Sequence, residues 1–158
     1  MTSDTATEAK PGLRPIVDYL IMPNENSVEG AYLRGLQCKS ESCRTVFLYA
    51  PTRRFCAVCN GKDEDQFSTV RLSDEGEVWV YTVVHQSWPG IPTPFVGGII
   101  DVGVEGDAEA KVAVRANIVG VEADPKNLRM GMKVRGKAAV AHKDKDGNDV
   151  VVWHFEPA

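Results

Sequence analysis

The pattern of hydrophobic and polar positions divides the chain into two parts of different character. From residue 76 onward, β-branched and aromatic residues recur in short blocks that predict strands. These blocks occupy residues 76–86, 95–104, 111–121, 133–142 and 150–155. The proline- and glycine-rich stretch 87–94 ends the first strand, and Asp146 followed by Gly147 predicts a tight hairpin between the last two. Asp124 followed by proline predicts a short helical turn over 124–132.

Five strands with one helical turn between the third and the fourth match a small Greek-key barrel of the OB type. Residues 73–158 are therefore predicted to form a five-stranded OB-fold barrel, and the fold class is predicted to be mainly β. In the first barrel strand, strict alternation would place Trp79 and Tyr81 on one face and Val78 and Val80 on the other.

The first 72 residues show no long periodic run and divide into three segments. Residues 1–14 are polar and predict a disordered lead. Residues 15–36 begin with apolar positions at helical spacing, but Pro23 interrupts them, so an N-terminal arm and a short helix both stay open. Residues 37–72 contain all four cysteines and several turn formers, and they are predicted to form a small rubredoxin-like zinc ribbon.

Composition and charge exclude several classes of protein. The chain of 158 residues is too short for a (β/α)₈ barrel, which needs roughly 200 residues or more, and its 43% hydrophobic content indicates a folded globular chain. The 22 acidic and 18 basic residues are spread evenly, so no nucleic-acid tail or membrane-binding arm is indicated. No run approaches the ~18 apolar residues that span a bilayer, and the N-terminus lacks a secretory pattern. We therefore expect a cytoplasmic protein with reduced thiols.

The four cysteines form two close pairs. Cys38 and Cys43 are separated by four residues, Cys56 and Cys59 by two, and twelve residues lie between the pairs. Each pair can offer two thiolates to one ion, and two such knuckles complete a closed tetrahedral site for a structural Zn²⁺. Asn60, followed by a glycine, would close the second knuckle at positive φ. Iron in a rubredoxin-type site remains an alternative, whereas two disulfides would require an oxidising compartment that nothing in the sequence marks.

The sequence shows no catalytic constellation. His85, His142 and His154 lie on predicted strands or at their ends, and none is near a recognisable nucleophile motif. The phosphate-loop and dinucleotide-binding glycine motifs are both absent. The barrel segment is more acidic than basic, which is the wrong balance for a groove that binds single strands, so nucleic acid is not the favoured partner. Independent enzymatic activity is not predicted.

The segment 34–54 is locally basic, with five basic side chains and one acidic side chain. Two interpretations stay open. The segment is either the solvated surface of a small module, or a docking face for an acidic partner or for the phosphates of a nucleotide-bearing ligand.

Several stretches, taken in order, resemble the zinc-ribbon/OB-fold proteins that accompany acyl-CoA enzymes. These stretches are LRGLQC (33–38), YAPTRRFCAVCNG (49–61), GEVWVYTVVHQ (76–86), PFVGGIIDVGV (94–104), NLRMGMKVRG (127–136) and the closing WHFEPA (153–158). Together they cover most of the chain from residue 33 onward. The chain departs from the family in its first knuckle, which has four intervening residues instead of two. It also departs in APTRR, where the family tends to show two prolines and an arginine.

The resemblance implies a non-catalytic accessory subunit that docks a thiolase-like or related acyl-CoA enzyme subunit, with a CoA thioester near the interface. One subfamily it suggests is the small subunit of the benzoylsuccinyl-CoA thiolases of anaerobic toluene degradation. Four residues are candidates for contact with the partner or the acyl-CoA: Arg53, Arg54, Trp88 and Phe95. A nucleic-acid-binding zinc-ribbon/OB module and a rubredoxin-like electron carrier remain alternatives.

Overall fold

A computed structural model describes residues 12–158 of the chain, which form nine strands and one 3₁₀ turn. The strands are β1 (Leu13–Pro15), β2 (Leu20–Ile21), β3 (Tyr32–Cys38), β4 (Val46–Leu48), β5 (Phe67–Val84), β6 (Phe95–Val104), β7 (Asp107–Ile118), β8 (Lys133–Lys143) and β9 (Asp149–Pro157). The 3₁₀ turn spans Pro125–Asn127 between β7 and β8, and Asp124 caps it. The mainly β prediction is confirmed. Within the described residues, no helix is long and apolar enough to cross a membrane.

The five strands from β5 to β9 form a closed circuit of hydrogen-bonded pairs. β5 pairs with β6, β6 with β7, β7 with β9, β9 with β8, and β8 with β5. The β7–β9 pairing is parallel and the other four are antiparallel, which is the OB connectivity expected from the order of the strands. Alternate residues of these strands point inward and form the core. The inward residues include Val78, Val96, Ile100, Val114 and Phe155, each less than 3% exposed.

A single long strand, β5, belongs both to the barrel and to the sheet that carries the cysteines. Its first residues pair with β3, and β3 pairs in turn with β4 and β2. Its later residues pair with β6 and β8. β5 runs without interruption across residue 73, so the two parts share one strand. The boundary between residues 37–72 and residues 73–158 stays a prediction.

The N-terminal segment adds strands to both parts. β1 runs parallel to β9, and β2 runs antiparallel to β3. The sequence predicted either an N-terminal arm or a short helix for residues 15–36. The structure has strands and turns there, with no helix among them. Most of the disordered lead predicted for residues 1–14 lies outside the described residues, and Leu13 and Arg14 belong to β1.

A β-bulge at Trp79 overturns the expectation that Trp79 and Tyr81 share one face. Val78 pairs with Ile100 whereas Val80 pairs with Ile99, so one extra residue is inserted into β5 at this point. The insertion reverses the alternation that follows it. Trp79 and Val80 both face outward, whereas Tyr81 packs against the core, where its hydroxyl donates to the carbonyl of Leu128 (3.4 Å).

The hairpin between β8 and β9 is organised by Asp144. One carboxylate oxygen of Asp144 accepts from the backbone N–H groups of Asp146 and Asn148 (both 2.9 Å), and the other accepts from Nε of Arg14 (2.9 Å). Gly147 adopts φ 81°, as the predicted tight turn requires. Burial opposes ionisation of Asp144, but these hydrogen bonds outweigh it and lower the pKa of the carboxyl group from 3.8 to about 2.

We expect Asp144→Asn to lower the melting temperature at pH 7, because the amide cannot accept all of these bonds as an anion does. A carboxyl group whose pKa is lowered on folding stabilises the protein above its ordinary pKa, and this contribution disappears as the pH falls through the folded value. The difference in melting temperature between the wild type and the variant should therefore shrink between pH 4 and pH 2, measured by circular dichroism. A difference independent of pH would contradict this role.

Candidate metal centre

The four cysteines predicted as ligands come together at one point, although they lie on two separate segments. Their Sγ atoms all lie within 4.8 Å of one another. Cys38 and Cys59 are 3.7 Å apart between sulfurs, and so are Cys43 and Cys56. Four sulfurs at ~2.3 Å from a central ion in a tetrahedron would lie about 3.8 Å from one another. The arrangement can therefore hold a tetrahedral metal ion with little movement.

Both knuckles are closed by a residue in the left-handed region. Arg44, which follows Cys43, has φ 54°, and Asn60, which follows Cys59, has φ 60°. The N–H of Arg44 donates to the carbonyl of Ser40 (3.0 Å), and the N–H of Asn60 donates to the carbonyl of Cys56 (2.8 Å). The predicted turn at Asn60 is confirmed. The longer first knuckle reaches the same closed geometry, so its two additional residues do not displace Cys38 or Cys43 from the cluster.

Gln66 is a buried polar residue that contacts the cluster, and its exposed fraction is 5%. Its side-chain amide donates to Sγ of Cys38 (3.1 Å) and to the hydroxyl of Ser40 (3.2 Å). Gly61 makes this approach possible, because a side chain at this position would collide with the amide of Gln66. Gln66 was not predicted from the sequence, since its separation from the cysteines follows no ligand spacing.

The surroundings of the thiols favour the thiolate at one position above all. Burial opposes ionisation of Cys38, but hydrogen bonds from the backbone of Ser40 and from the Gln66 amide outweigh it and lower the pKa of Cys38 to about 6. Hydrogen bonds from the side chain and backbone of Thr45 also lower the pKa of Cys43. A backbone hydrogen bond from Gly61 acts in the same sense at Cys59, but burial and the neighbouring thiols of Cys38 and Cys56 outweigh it and raise the pKa of Cys59. Since a metal-binding cysteine must be deprotonated, the contacts favour a cation at Cys38 and Cys43.

An ion in this site would have no reactive position of its own. A tetrahedral ion with four protein thiolates has no free position for water or substrate. Cys38 and Cys56 are fully buried, and only Cys59 is exposed. An ion bound here would tie the segment that carries Cys56 and Cys59, which forms no strand, to the end of β3 at Cys38.

Three of the four other candidate residues line two recesses, which share no lining residue, and Trp88 lines neither. Arg53 and Arg54 line a recess of about 350 Å³ beside the cysteine knuckles. The guanidinium of Arg53 lies 4.1 Å from the ring centre of Phe47, and that of Arg54 donates to the carbonyl of Pro51 (2.7 Å).

Phe95 lines a larger recess of about 650 Å³ on the outer face of β5, β6 and β7. Trp88 lies in the loop next to it and is 81% exposed, more than any other large hydrophobic side chain among residues 12–158.

Comparison with known proteins places the chain among relatives of similar length. Residues 69–139 match the protein family described as ChsH2, C-terminal OB-fold domain. Over 146 residues the chain is 31% identical to a DUF35 domain-containing scaffold protein of Methanocaldococcus jannaschii, a match that covers 89% of this chain and 92% of that protein. The fold is also similar to a solved chain of the Ltp2-ChsH2(DUF35) aldolase, with a TM-score of 0.54, 24% identity, and coverage of 80% and 84% respectively.

We expect Gln66→Leu to weaken metal binding on the order of tenfold, because the variant removes the hydrogen bond to Cys38 and leaves the four thiols in place. Competition with a chromogenic chelator measures the affinity. Gln37→Leu is the matched control, since Gln37 is similarly buried (4% exposed) but its amide contacts Arg44 and Asp107 and no sulfur. Because Gln37 also holds Arg44, which closes the first knuckle, a loss in Gln66→Leu no larger than that in Gln37→Leu would contradict a specific role for the bond to Cys38.

Proposed function

Because the chain belongs to the family of DUF35 domain-containing scaffold proteins, we propose that it is a non-catalytic accessory subunit that docks a thiolase- or aldolase-type catalytic subunit. The observation that supports this most directly is the 31% identity to a scaffold protein across nearly the whole chain. The similar solved chain comes from an aldolase described by two components, Ltp2 and ChsH2. The absence of a catalytic constellation in the sequence agrees with a supporting role, and the reacting groups would belong to the partner.

Zinc is the metal we propose for the four-cysteine site. Four thiolates with a closed tetrahedral arrangement suit Zn²⁺, and the ion would stabilise the ribbon without taking part in a reaction. Iron in the same site would instead make the chain a rubredoxin-like electron carrier. Cysteines that serve as metal ligands are typical of a reducing compartment, which agrees with the proposed cytoplasmic location.

The partner contact proposed here involves the loop between β5 and β6 and the arginines beside the ribbon. Trp88 is a large side chain with almost no contacts of its own, and tryptophan is enriched among the residues that dominate binding energy at interfaces. Phe95 and the recess beneath it adjoin this loop, and Arg53 and Arg54 offer positive charge for acidic groups or phosphates. The finer assignment is to an acyl-CoA enzyme with CoA at this interface, for example a benzoylsuccinyl-CoA thiolase.

The first test is a native pull-down of the tagged chain from its own host, with the bound proteins identified by mass spectrometry. We expect recovery of a thiolase- or aldolase-like subunit in a fixed ratio. Recovery of nucleic acid, released as salt is raised, would instead favour the zinc-ribbon/OB module that binds single strands. A purified sample with the colour and bound iron of a thiolate site would favour the electron carrier.

Once the partner is identified, Trp88→Ala should weaken the complex by about 2 kcal/mol of binding free energy, as truncation of a dominant interface residue does. Trp79→Ala is the matched control, because Trp79 is also exposed (57%) but lies at the bulge on β5 and outside the loop. Calorimetric titration of the partner measures both variants. A loss of affinity in Trp79→Ala alone would indicate that the partner contacts the outer face of β5 and not the loop.

Cys56→Ser should abolish metal binding and complex formation together, because the buried thiolate holds the second knuckle in place. Metal content by elemental analysis and complex formation by size-exclusion chromatography measure the two effects. Formation of the complex without metal would contradict the structural role assigned to the ribbon.

A further inference from the structure

The four cysteines of the candidate metal centre differ in their access to solvent. Cys38 and Cys56 have an exposed fraction of 0%, Cys43 is partly buried, and Cys59 is exposed. These are all the cysteines of the chain. A reagent that arrives from solvent therefore reaches Cys59 more readily than the other three.

Exposure is what distinguishes Cys59 chemically, because metal coordination makes the four sulfurs alike in charge. A thiol that coordinates Zn²⁺ is held as the thiolate, and the thiolate is the form that attacks an oxidant. Cysteine oxidation requires both thiolate character and access to solvent. With an ion bound, all four sulfurs meet the first condition, and Cys59 alone is exposed. The ion has no open position of its own, so a reaction with an oxidant would take place at sulfur.

The closest sulfur pairs of the cluster join one knuckle to the other. Cys59 lies 3.7 Å from Cys38 between sulfurs, and Cys43 lies 3.7 Å from Cys56. Among residues 12–158 these are the two sulfur–sulfur contacts of hydrogen-bond length. Cys38 is therefore the thiol that the geometry offers to an oxidised Cys59.

The surroundings of Cys38 keep its sulfur beside Cys59. The side-chain amide of Gln66 donates to Sγ of Cys38 (3.1 Å) and to the hydroxyl of Ser40 (3.2 Å), and this hydroxyl in turn accepts a long hydrogen bond from Cys59 (3.9 Å). Cys38 ends β3, whereas Cys59 lies outside the strands. Closer approach of the two sulfurs therefore requires adjustment of the second knuckle and not of the sheet.

We propose that Cys59 is a peroxide-sensitive modification site, whose oxidation releases the metal ion and joins Cys59 to Cys38 in a disulfide. In the first step the Cys59 thiolate attacks one oxygen of hydrogen peroxide, the O–O bond breaks, hydroxide leaves, and the sulfur becomes a sulfenic acid. In the second step the Cys38 thiolate attacks this sulfur, the S–S bond forms, and a second hydroxide leaves. The two sulfurs together lose the two electrons that the peroxide gains, and Zn²⁺, left with two thiolate ligands, is released unchanged in charge.

The proposed disulfide would preserve the connection that the ion provides. It joins the second knuckle to the end of β3, as an ion held by the four thiols would. A disulfide between Cys56 and Cys59 would instead close one knuckle on itself and leave it untied from the sheet. We therefore expect the oxidised chain to lose its metal and keep its strands, and we expect a dithiol reductant with added Zn²⁺ to restore the original state.

The test uses the full chain loaded with zinc and treated with hydrogen peroxide. A chromogenic chelator follows metal release, circular dichroism follows the strands, and peptide mapping under non-reducing conditions identifies the disulfide. We expect metal release in parallel with a linkage between Cys38 and Cys59. The proposal rests on the zinc binding proposed above, which the metal content of the starting sample checks separately, and it does not depend on docking of a partner.

Cys59→His separates the reactive sulfur from the metal ligand, because imidazole coordinates Zn²⁺ but forms no disulfide. This variant should bind zinc and lose the peroxide-driven release. Cys43→His is the matched control, since Cys43 is partly buried and belongs to the other sulfur pair, and it should release zinc as the wild type does. A reagent specific for sulfenic acid, added to the wild type during the reaction, identifies the first oxidised cysteine without any substitution.

Four outcomes would overturn the proposal. The first is labelling of a cysteine other than Cys59 by the sulfenic-acid reagent, and the second is a linkage between Cys56 and Cys59 as the main product. The third is zinc release from Cys59→His as fast as from the wild type. The fourth is retention of zinc at peroxide concentrations that oxidise free cysteine in the same solution.

Discussion

The continuous strand β5 is the constraint on which the rest of the structure depends. Its first part hydrogen-bonds to β3 in the sheet that carries the cysteines, and its second part opens the barrel. Its register with β6 shifts between Leu72 and Gly76, so the strand is irregular where the two parts meet. The position of the cysteine cluster relative to the barrel therefore depends on the backbone hydrogen bonds on both sides of this irregularity.

The cysteine cluster and β3 support each other. Cys38 is the last residue of β3, so one ligand is placed directly by the sheet, and Gln66 just before β5 supplies the hydrogen bond to its sulfur. The pairing of Cys38 with Phe67 in the β3–β5 register brings these two segments together. Cys38 thus belongs both to the thiol cluster and to the strand pairing, so an ion held by the four thiols would stabilise this pairing.

Two surfaces of the chain differ in physical character. Trp88 offers apolar area in a loop. This area contributes to binding only when another surface excludes water from it. Arg34 and Arg71 bring two positive charges opposite each other on a sheet. The like charges of this pair are offset in part by the ion pair of Arg71 with Glu105 and by the stacking of both guanidinium groups on tyrosine rings.

The sequence alone determined the strands of the barrel, the order of its elements and the clustering of the four cysteines, because these depend on local periodicity and on the spacing of chemically distinctive residues. β6 was predicted to the residue for this reason. Only the tertiary structure decided that Trp79 forms a bulge, that Gln66 reaches Cys38, and that Arg34 faces Arg71. Each of these features depends on the register between strands distant in sequence, and a shift of one residue would send the same side chains to the opposite face.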